Sequence, residues 1–493
     1  MPVLNSTESI YLRMERDGFP CDIAGILLLE PSPDGPLPFG QVRARFNQCY
    51  PQSPLMTRML APAPMGIGED RWVQASTLDI DAHVHHRQVP EPGDMGALLS
   101  TVIDVSRAPL DRGRPLWEAW YLTGMADGAA ALVLRTHHAS IDGIGIMQLH
   151  RILFATEPAP ADPNLQAQPV AGLGSPSVLR RALSEVPDRV ATEVGTATRI
   201  IKQVGSAVPK AMVGMPAYVL RESASRAGAL LRLNLSDAAA LPELPGYIPS
   251  PTDHPPMTVF NQHIDNPQKS MAVISLPLEQ VKLIRRAVPD VTVSDILFAL
   301  VTGALRDYLA AIGELPEVPL RTTCPVNTRV ATDRSGQGNH ITTMWIDLPV
   351  HLSDPAERLR AVSASAEAAK AALPETEASW DALADVGDLL LPGVVAAAMA
   401  FAGTRAFGVF PPTQNLTVST LVGSAQPLYL ATRQITHMYA RTIICPPINL
   451  FVQTLTYDGK VDVSITTLEQ VCPDPQALAD GLRAELDRLL ASL

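Results

Sequence analysis

Two long apolar runs in the first third of the chain predict buried strands. Residues 23–29 (IAGILLL) and 129–136 (AAALVLRT) have few polar positions, as expected for strands that are covered on both faces. The second run leads directly into His137 and His138, and apolar positions then recur with helical spacing from residue 146. The two histidines therefore lie at a predicted strand-to-helix junction, where side chains can project from a strand end into a cleft.

A second mixed region of strands and helices is predicted from about residue 255. A long helix opens near residue 293, with Ser294 or Asp295 as its N-cap. Asp458 and Gly459 separate two runs of strand character, which is a strong signal for a β-hairpin. Further strands and a closing helix are predicted at residues 342–348, 416–419, 448–456, 460–467 and 476–490.

The segment between these two regions has a different composition. Residues 156–177 are rich in Pro, Ala and Gly, which indicates a linker or a surface loop. Residues 180–232 have helical spacing and more basic than acidic positions, which fits either crossover helices or an amphipathic surface pair. We therefore expect a first half at residues 1–155, a linker with crossover helices at 156–250, and a second half at 251–493.

Composition narrows the functional class. The 493 residues are too many for one ordinary core, and 46% apolar with 18% charged residues is typical of a globular chain. A net charge of −12 argues against a nucleic-acid partner, because a phosphate-binding face needs a basic excess. The five cysteines have neither metal-ligand nor CxxC spacing, which fits reduced thiols. No metal site is expected.

Charge and hydropathy also bear on location. Glu8, Arg13 and Glu15 lie where a signal peptide would need an apolar run, so we expect a cytoplasmic protein. Residues 389–404 form the longest uncharged apolar stretch, but it is shorter than the ~20 residues of a spanning helix. We interpret this stretch as a buried helix or a tunnel lining. Peripheral contact with a membrane or a lipid droplet stays open.

The run HHASIDG at residues 137–143 contains the candidate chemistry. Acyl transfer from a thioester to an alcohol needs a group that takes the alcohol proton as the oxygen attacks. An imidazole with a pKa near ~6.5 suits that task, and His138 is the candidate base, worth roughly 10²–10⁴ in rate. Asp142 can hold the loop so that the imidazole keeps one orientation. Gly143 would let the backbone turn sharply without a Cβ clash.

Other interpretations of this run are weaker. Ser140 could complete a Ser-His-Asp set, but it lies only two residues from His138 and no Gly-x-Ser-x-Gly elbow is present. Nearby residues offer no third ligand at a spacing that suits a metal. A second histidine pair, His85 and His86, lacks an Asp-Gly at the matching distance, and we predict that it lies on the surface.

The pattern HHxxxDG is the signature of the CoA-dependent acyltransferase superfamily, and the flanking residues resemble one branch of it. Residues 110–120 (LDRGRPLWEAW) look like the Pro-Leu-Trp block of the bacterial wax ester synthase/diacylglycerol acyltransferases. Residues 4–12 (LNSTESIYL) are similar to the opening of that family, and residues 72–93 and 338–349 also resemble it. The similarity extends over nearly the whole chain.

This resemblance implies an α/β fold of two chloramphenicol-acetyltransferase-like halves, each a mixed β-sheet with helices, that meet at a central tunnel. It implies His138 as the general base, supported by His137, Asp142 and Gly143. Acyl-CoA would be a co-substrate, and no resident cofactor is expected. Contacts with substrate or tunnel would come from Pro115, Leu116, Trp117, Ser294, Asp295, Ser419 and Thr420. For the first three the alternative is packing, since Trp117 also suits an ordinary core.

Two positions depart from the family pattern. The Asn-Asp pair at the helix start is Ser294-Asp295 here, and the late Ser-Asn-Val-Pro-Gly-Pro strand begins Ser419-Thr420. Loss of one oxyanion donor can cost ~3 kcal/mol. The leading hypothesis is transfer of a long-chain acyl group from acyl-CoA to diacylglycerol or a long-chain alcohol. The alternatives are a non-glycerolipid acceptor, such as a polyketide or sugar, and a lipid-binding paralogue with little turnover.

Overall fold

The structure is a computed structural model. It describes residues 4–15, 19–62, 70–75, 78–160, 254–264, 266–327, 341–374, 412–444 and 447–493. The predicted crossover helices at 180–232, most of the linker at 156–177 and the apolar run at 389–404 lie outside the described residues.

Strands and helices alternate along both halves. The strands are β1 (Asp22–Leu29), β2 (Arg58–Ala61), β3 (Arg71–Gln74), β4 (Val84–Gln88), β5 (Trp117–Thr123), β6 (Ala130–His137), β7 (Lys269–Pro277), β8 (Leu320–Asn327), β9 (Ile341–Leu348), β10 (Leu416–Val422), β11 (Tyr429–Leu430), β12 (Arg433–Arg441), β13 (Leu450–Tyr457) and β14 (Lys460–Leu468). The helices are α1 (Ser6–Met14), α2 (Phe39–Cys49), α3 (Pro54–Thr57), α4 (Met95–Val105), α5 (Gly143–Leu153), α6 (Leu278–Ala287), α7 (Val293–Ala311), α8 (Pro355–Ala371) and α9 (Pro475–Ala491).

The first sheet has the order β11-β12-β1-β6-β5-β4 within the described ranges. Its pairs are antiparallel except for β4 with β5, so the sheet is mixed. Every residue of β6 is buried, as its largely apolar sequence predicts for a strand covered on both faces. Alternate residues of β1 enter different cores: Ile26 packs near α4, and Leu27 packs with α2 and α5.

The second sheet has the order β7-β14-β13-β10-β8-β9, again for the described part of the chain. Strand β10 runs parallel to both of its neighbours, and the other pairs are antiparallel. Helix α7 is apolar around most of its circumference because it lies between this sheet and helices α8 and α9. These elements form the largest core cluster, which includes Ile296, Leu300 and Leu482.

Two strands of the second half, β11 and β12, belong to the first sheet. Strand β12 pairs antiparallel with β1, and Ala24 lies opposite Arg441. Beyond the short β11, the side of β12 that is not paired with β1 faces β14, whose side chains accept its amide protons. Met438 N–H donates to Asp462 at 2.7 Å, and Ala440 N–H donates to Ser464 at 2.9 Å. The sheets are thereby joined along a seam, and the predicted second half at 251–493 contributes to both of them.

Local signals in the sequence agree with most of these elements. Asp458 and Gly459 have φ of 44° and 75° and close the β13–β14 hairpin, as predicted. The predicted N-cap of α7 is wrong. Thr292 caps this helix, accepting from Asp295 N–H at 3.2 Å, while the Asp295 carboxylate accepts from Thr292 N–H at 2.8 Å. Ser294 is already inside the first turn.

None of the helices in the described ranges combines the length and the apolar character needed to cross a bilayer.

Candidate active site

A cavity of about 510 Å³ lies between the two sheets. Its wall from the first half is mainly apolar and comes from β1, β6 and α5, including Ile23, Leu27 and Met147. Its wall from the second half mixes apolar side chains with hydrogen-bonding ones; the latter include Thr323, Thr417, Ser419, Gln453, Ser464 and the carboxylate residue Asp462. The cavity can therefore hold a largely apolar molecule that carries a few polar groups.

His138 is on the wall of this cavity, directly after β6. Its backbone N–H donates to the carbonyl of Cys21 at 2.8 Å, which ties the strand end to the residue before β1. Its ring stacks on Tyr11 with 4.1 Å between centroids and 10° between planes. The side chain is half-buried, so packing fixes the ring while part of it meets the cavity.

Burial governs the charge of this imidazole. It lowers the pKa of His138 to about 4, and the neighbouring His137 acts in the same direction. A hydrogen bond from the ring to its own main chain and the Asp142 carboxylate oppose the shift without cancelling it. The ring is therefore neutral near pH 7 and can accept a proton there.

His137 supports the turn and does not line the cavity. Its ring is fully buried, and Nδ1 accepts from Ala139 N–H at 3.0 Å, which leaves the proton on Nε2. That nitrogen lies 3.4 Å from Glu15 Oε2. Burial raises the pKa of Glu15, but hydrogen bonds from His137, the Cys21 amide and Arg112 outweigh it and lower the pKa. An ionised carboxylate thus holds the His137 ring.

Asp142 is the N-cap of α5. It is fully buried, and its carboxylate accepts from Gly145 N–H at 2.8 Å. It therefore fixes where the helix begins directly after the His138 turn. Ser140 also acts within this turn: its hydroxyl donates to the His137 carbonyl at 2.7 Å. The turn is held by its own side chains.

The reason for a glycine at 143 differs from the sequence expectation. Gly143 has no left-handed φ, so its backbone does not require glycine. A Cβ at this position would lie 2.8 Å from Cδ2 of Leu421, which comes from β10 of the second half. Glycine therefore allows the second half to pack closely against the start of α5, at the edge of the cavity.

The predicted tunnel residues at 115–117 lie in packing positions. Trp117 donates from Nε1 to the Met56 carbonyl at 3.1 Å and stacks on His83 with 4.4 Å between centroids. Leu116 is buried, and its carbonyl accepts from His137 N–H at 3.0 Å. Pro115 is buried beside it. Of the two roles expected for this block, the geometry matches packing behind the histidines, because none of the three lines the cavity among the described residues.

The second half contributes one predicted residue to the cavity wall. Ser419 lines the cavity, and its carbonyl accepts from Gln453 at 3.2 Å. Thr420, the next residue on β10, is not among the described lining residues. Ser294 and Asp295 also lie outside the lining, and the Asp295 carboxylate serves the α7 cap and lies 3.6 Å from Lys370.

Several residues of this site carried no sequence signal that assigned them a role. Tyr11 stacks on His138, and Glu15 meets His137, but both are distant in sequence from the motif. His150 lines the cavity from α5, and helical spacing from Gly143 could have placed it on the same face. Among the residues described, no three His, Cys, Asp or Glu side chains are grouped to hold a metal ion.

Two mixed sheets, the first of which includes two strands of the second half, and a strand-end HHxxxDG histidine in the cavity between them define a two-half α/β acyltransferase of the HHxxxDG class. Comparison with known families specifies the branch. The model of the wax ester synthase/diacylglycerol acyltransferase catalytic domain matches residues 4–297, and that of the C-terminal domain of the same family matches residues 337–490. The chain belongs to this family and is an acyltransferase enzyme.

Relatives and solved structures agree with this assignment. The chain is 28% identical to tgs2 of Mycobacterium tuberculosis, named as a candidate diacylglycerol O-acyltransferase, over 99% of both chains. A second candidate of that name from the same species is 26% identical over 99% of this chain and 97% of its own. The wax ester synthase/diacylglycerol acyltransferase of Marinobacter aquaeolei VT8 superposes with a TM-score of 0.65 at 21% identity, covering 100% of this chain and 99% of that one.

The first condensation domain of the calcium-dependent antibiotic synthetase has the same architecture. It superposes with a TM-score of 0.54 at 14% identity, over 99% of this chain and 96% of that domain. At these sequence identities the two solved structures show the fold alone. They confirm the expected α/β fold of two sheet-rich halves.

Proposed function

We propose that this enzyme transfers a long-chain acyl group from acyl-CoA to the hydroxyl of a lipid alcohol, either diacylglycerol or a long-chain alcohol. The product would be a triacylglycerol or a wax ester. The names of the Mycobacterium relatives support diacylglycerol as acceptor. The observation that carries the chemistry is the neutral His138 ring on the cavity wall, oriented by its stack on Tyr11.

The proposed reaction is a direct transfer with His138 as general base. The ring nitrogen that does not donate to the main chain holds the lone pair and takes the alcohol proton as the oxygen attacks the thioester carbonyl. The C–O bond forms, the C–S bond breaks, and the imidazolium returns the proton to the departing thiolate. A pKa of about 4 makes that imidazolium a strong proton donor for the second step.

The walls of the cavity support a lipid substrate. The aliphatic side chains of Ile23, Leu27 and Met147 favour an alkyl chain, whose burial gains about 25 cal/mol per Å² of apolar surface. The opposite wall is also largely apolar, and Ser419 and Gln453 on it offer neutral groups that suit ester or amide oxygens.

The test is thiol release from palmitoyl-CoA in the presence of dioleoylglycerol or hexadecanol, with the radiolabelled product identified by chromatography. His138→Ala is expected to lower kcat/KM by roughly 10²–10⁴ while the thermal unfolding curve stays that of a folded protein. His86→Ala, which removes an exposed histidine of the same sheet, is the matched control and should retain full activity.

Three other results would each reject part of the proposal. Unchanged turnover in His138→Ala would remove the base from the mechanism. Turnover only with a polyketide or sugar alcohol would reject the lipid acceptor. Tight binding of palmitoyl-CoA with no thiol release for any acceptor would reject the enzymatic assignment to these substrates altogether.

A further inference from the structure

A histidine other than His138 also lines the cavity. His150 is on the last part of α5, and Gly143, Met147 and His150 follow at i, i+4 and i+7 on the face that meets the cavity. The rise of an α-helix places His150 about 10 Å along the axis from Gly143. It therefore meets the cavity well away from the His138 turn.

The surroundings of His150 are apolar. The residues at i±3 and i±4 are Ile146, Met147, Leu153 and Phe154, and the Phe154 ring lies with its centroid 5.3 Å from that of His150. The side chain is 6% exposed. Within the described ranges no group donates to the ring or accepts from it, yet its nitrogens are not sealed off from the cavity.

An imidazole in this position has hydrogen-bonding capacity that the protein does not use. Burial lowers the pKa of His150 to about 4, so the ring is neutral near pH 7 with one N–H donor and one acceptor nitrogen. A buried polar group without a partner is unfavourable, whereas an aliphatic residue would suit this wall. A ligand that brings an oxygen atom to this depth would complete the missing bond.

We infer that His150 is a specificity-determining residue that hydrogen-bonds an oxygen function of the lipid substrate remote from the reacting atoms. The chemical class is a hydroxyl or an ester carbonyl on an otherwise apolar molecule. Such a group can come from the acyl chain of the donor or from an ester of the acceptor. The inference rests on the proposed acyl transfer and deepens it.

The experiment measures two selectivity ratios of kcat/KM by thiol release. The donor ratio compares a mid-chain hydroxypalmitoyl-CoA with palmitoyl-CoA, both with hexadecanol as acceptor. The acceptor ratio compares dioleoylglycerol with hexadecanol, both with palmitoyl-CoA. In His150→Leu one of the two ratios is expected to fall about tenfold, which is the value of one hydrogen bond at the upper end of the usual range. Whichever ratio falls identifies the source of the oxygen.

Two variants separate hydrogen bonding from packing. His150→Gln retains a donor and an acceptor and should restore most of the lost ratio. Ile152→Leu changes an apolar side chain of the same helix that is not among the described lining residues, and it should leave both ratios as in the wild type. Equal losses for all substrates in His150→Leu, or both ratios unchanged, would overturn the role of His150.

This result is distinguishable from failure of the proposed function. Palmitoyl-CoA with hexadecanol or dioleoylglycerol, measured with the wild type and with His138→Ala, tests the reaction itself. If neither acceptor turns over in the wild type, the proposed function fails. If turnover is normal and only the ratios are insensitive to residue 150, the acyl transfer stands and the inference about His150 is wrong.

Discussion

Two pairs of consecutive histidines lie on strands of the same sheet. His85 and His86 are within β4, and His137 and His138 are at the end of β6. The first pair is on an edge strand: His86 is exposed and meets Thr123 Oγ1 at 2.9 Å, and His85 lies 4.5 Å from the Trp120 ring. The second pair ends a central strand, with one ring buried against a carboxylate and the other on the cavity wall.

The contrast shows that residue type and sheet membership do not define the site. What distinguishes the second pair is the turn that follows it, since Asp142 caps a helix there and Leu421 of the second half packs against Gly143. A histidine becomes a candidate base where a strand ends at a cavity and the following backbone is held from both sides.

Replacement of the first histidine of each pair should lower the free energy of unfolding by very different amounts. His137→Leu removes the acceptor of the buried Ala139 N–H and the partner of Glu15, and we expect a loss of about 3 kcal/mol in the free energy of unfolding. His85→Leu loses only a partly exposed ring contact with Trp120, about 0.5–1 kcal/mol. Urea denaturation measures both, and equal losses would contradict the distinction.

The pH dependence of kcat/KM should follow the half-buried ring of His138. With a pKa of about 4, the base is neutral and active at pH 5.5, whereas an ordinary imidazole with a pKa near ~6.5 would retain only about a tenth of its activity there. We therefore expect activity at pH 5.5 to be close to its value at pH 7. If kcat/KM instead fell to half its value near pH 6.5, the His138 ring would be solvated in the working enzyme.

The stability of the fold also depends on pH, so it must be measured as a control for the activity profile. The folded pKa of His138 lies below the value of about 6.5 in the unfolded chain, so the unfolded chain takes up the proton first. The neutral His138 ring therefore contributes fully to stability above pH ~6.5, and this contribution decreases as the pH falls from there toward 4. His150 acts in the same direction. Circular dichroism at each pH must show that the protein is still folded.

The two halves meet where Leu421 packs against Gly143, just after the second histidine pair. This contact should be sensitive to the addition of a single methyl group. Gly143→Ala forces the Leu421 side chain to move and is expected to lower kcat/KM about fivefold, since overpacking typically costs about 1–3 kcal/mol and this side chain end can shift. Leu421→Ala in the same chain should restore most of the rate. Gly40→Ala is the matched control, because a Cβ there meets nothing within 4 Å. No rescue would mean that Gly143 acts through its backbone.

The sequence predicted the elements that have local signals. The apolar run before His137, the HHxxxDG motif and the Asp458-Gly459 turn each depend on neighbouring residues, and each is found in its predicted element. Residues whose contacts are remote in sequence were not predicted. The pairing of Gly25 with Ala440, which brings β12 into the first sheet, leaves no mark in either segment.

Single residues of the site differ in the same way. Tyr11 and Glu15 meet the histidines only after the chain has folded, so no spacing rule could identify them. Ser294 and Thr292 are both good N-caps, and the choice between them depends on which residue leaves the helical path. Trp117 has the sequence context of a tunnel residue, but its indole fits between His83 and Phe46.

The smallest expected effect compares the two helix starts, which share a capping mechanism but differ in distance from the cavity. Asp142→Ala and Thr292→Ala each remove an N-cap acceptor and should each lower the free energy of unfolding by about 0.5–1 kcal/mol. Only Asp142→Ala should also lower kcat/KM, because α5 begins beside the His138 turn and α7 does not line the cavity. Paired urea and thiol-release measurements decide the matter. A rate loss in Thr292→Ala as large as that in Asp142→Ala would mean that helix stability in general, and not the turn after the histidines, sets the rate.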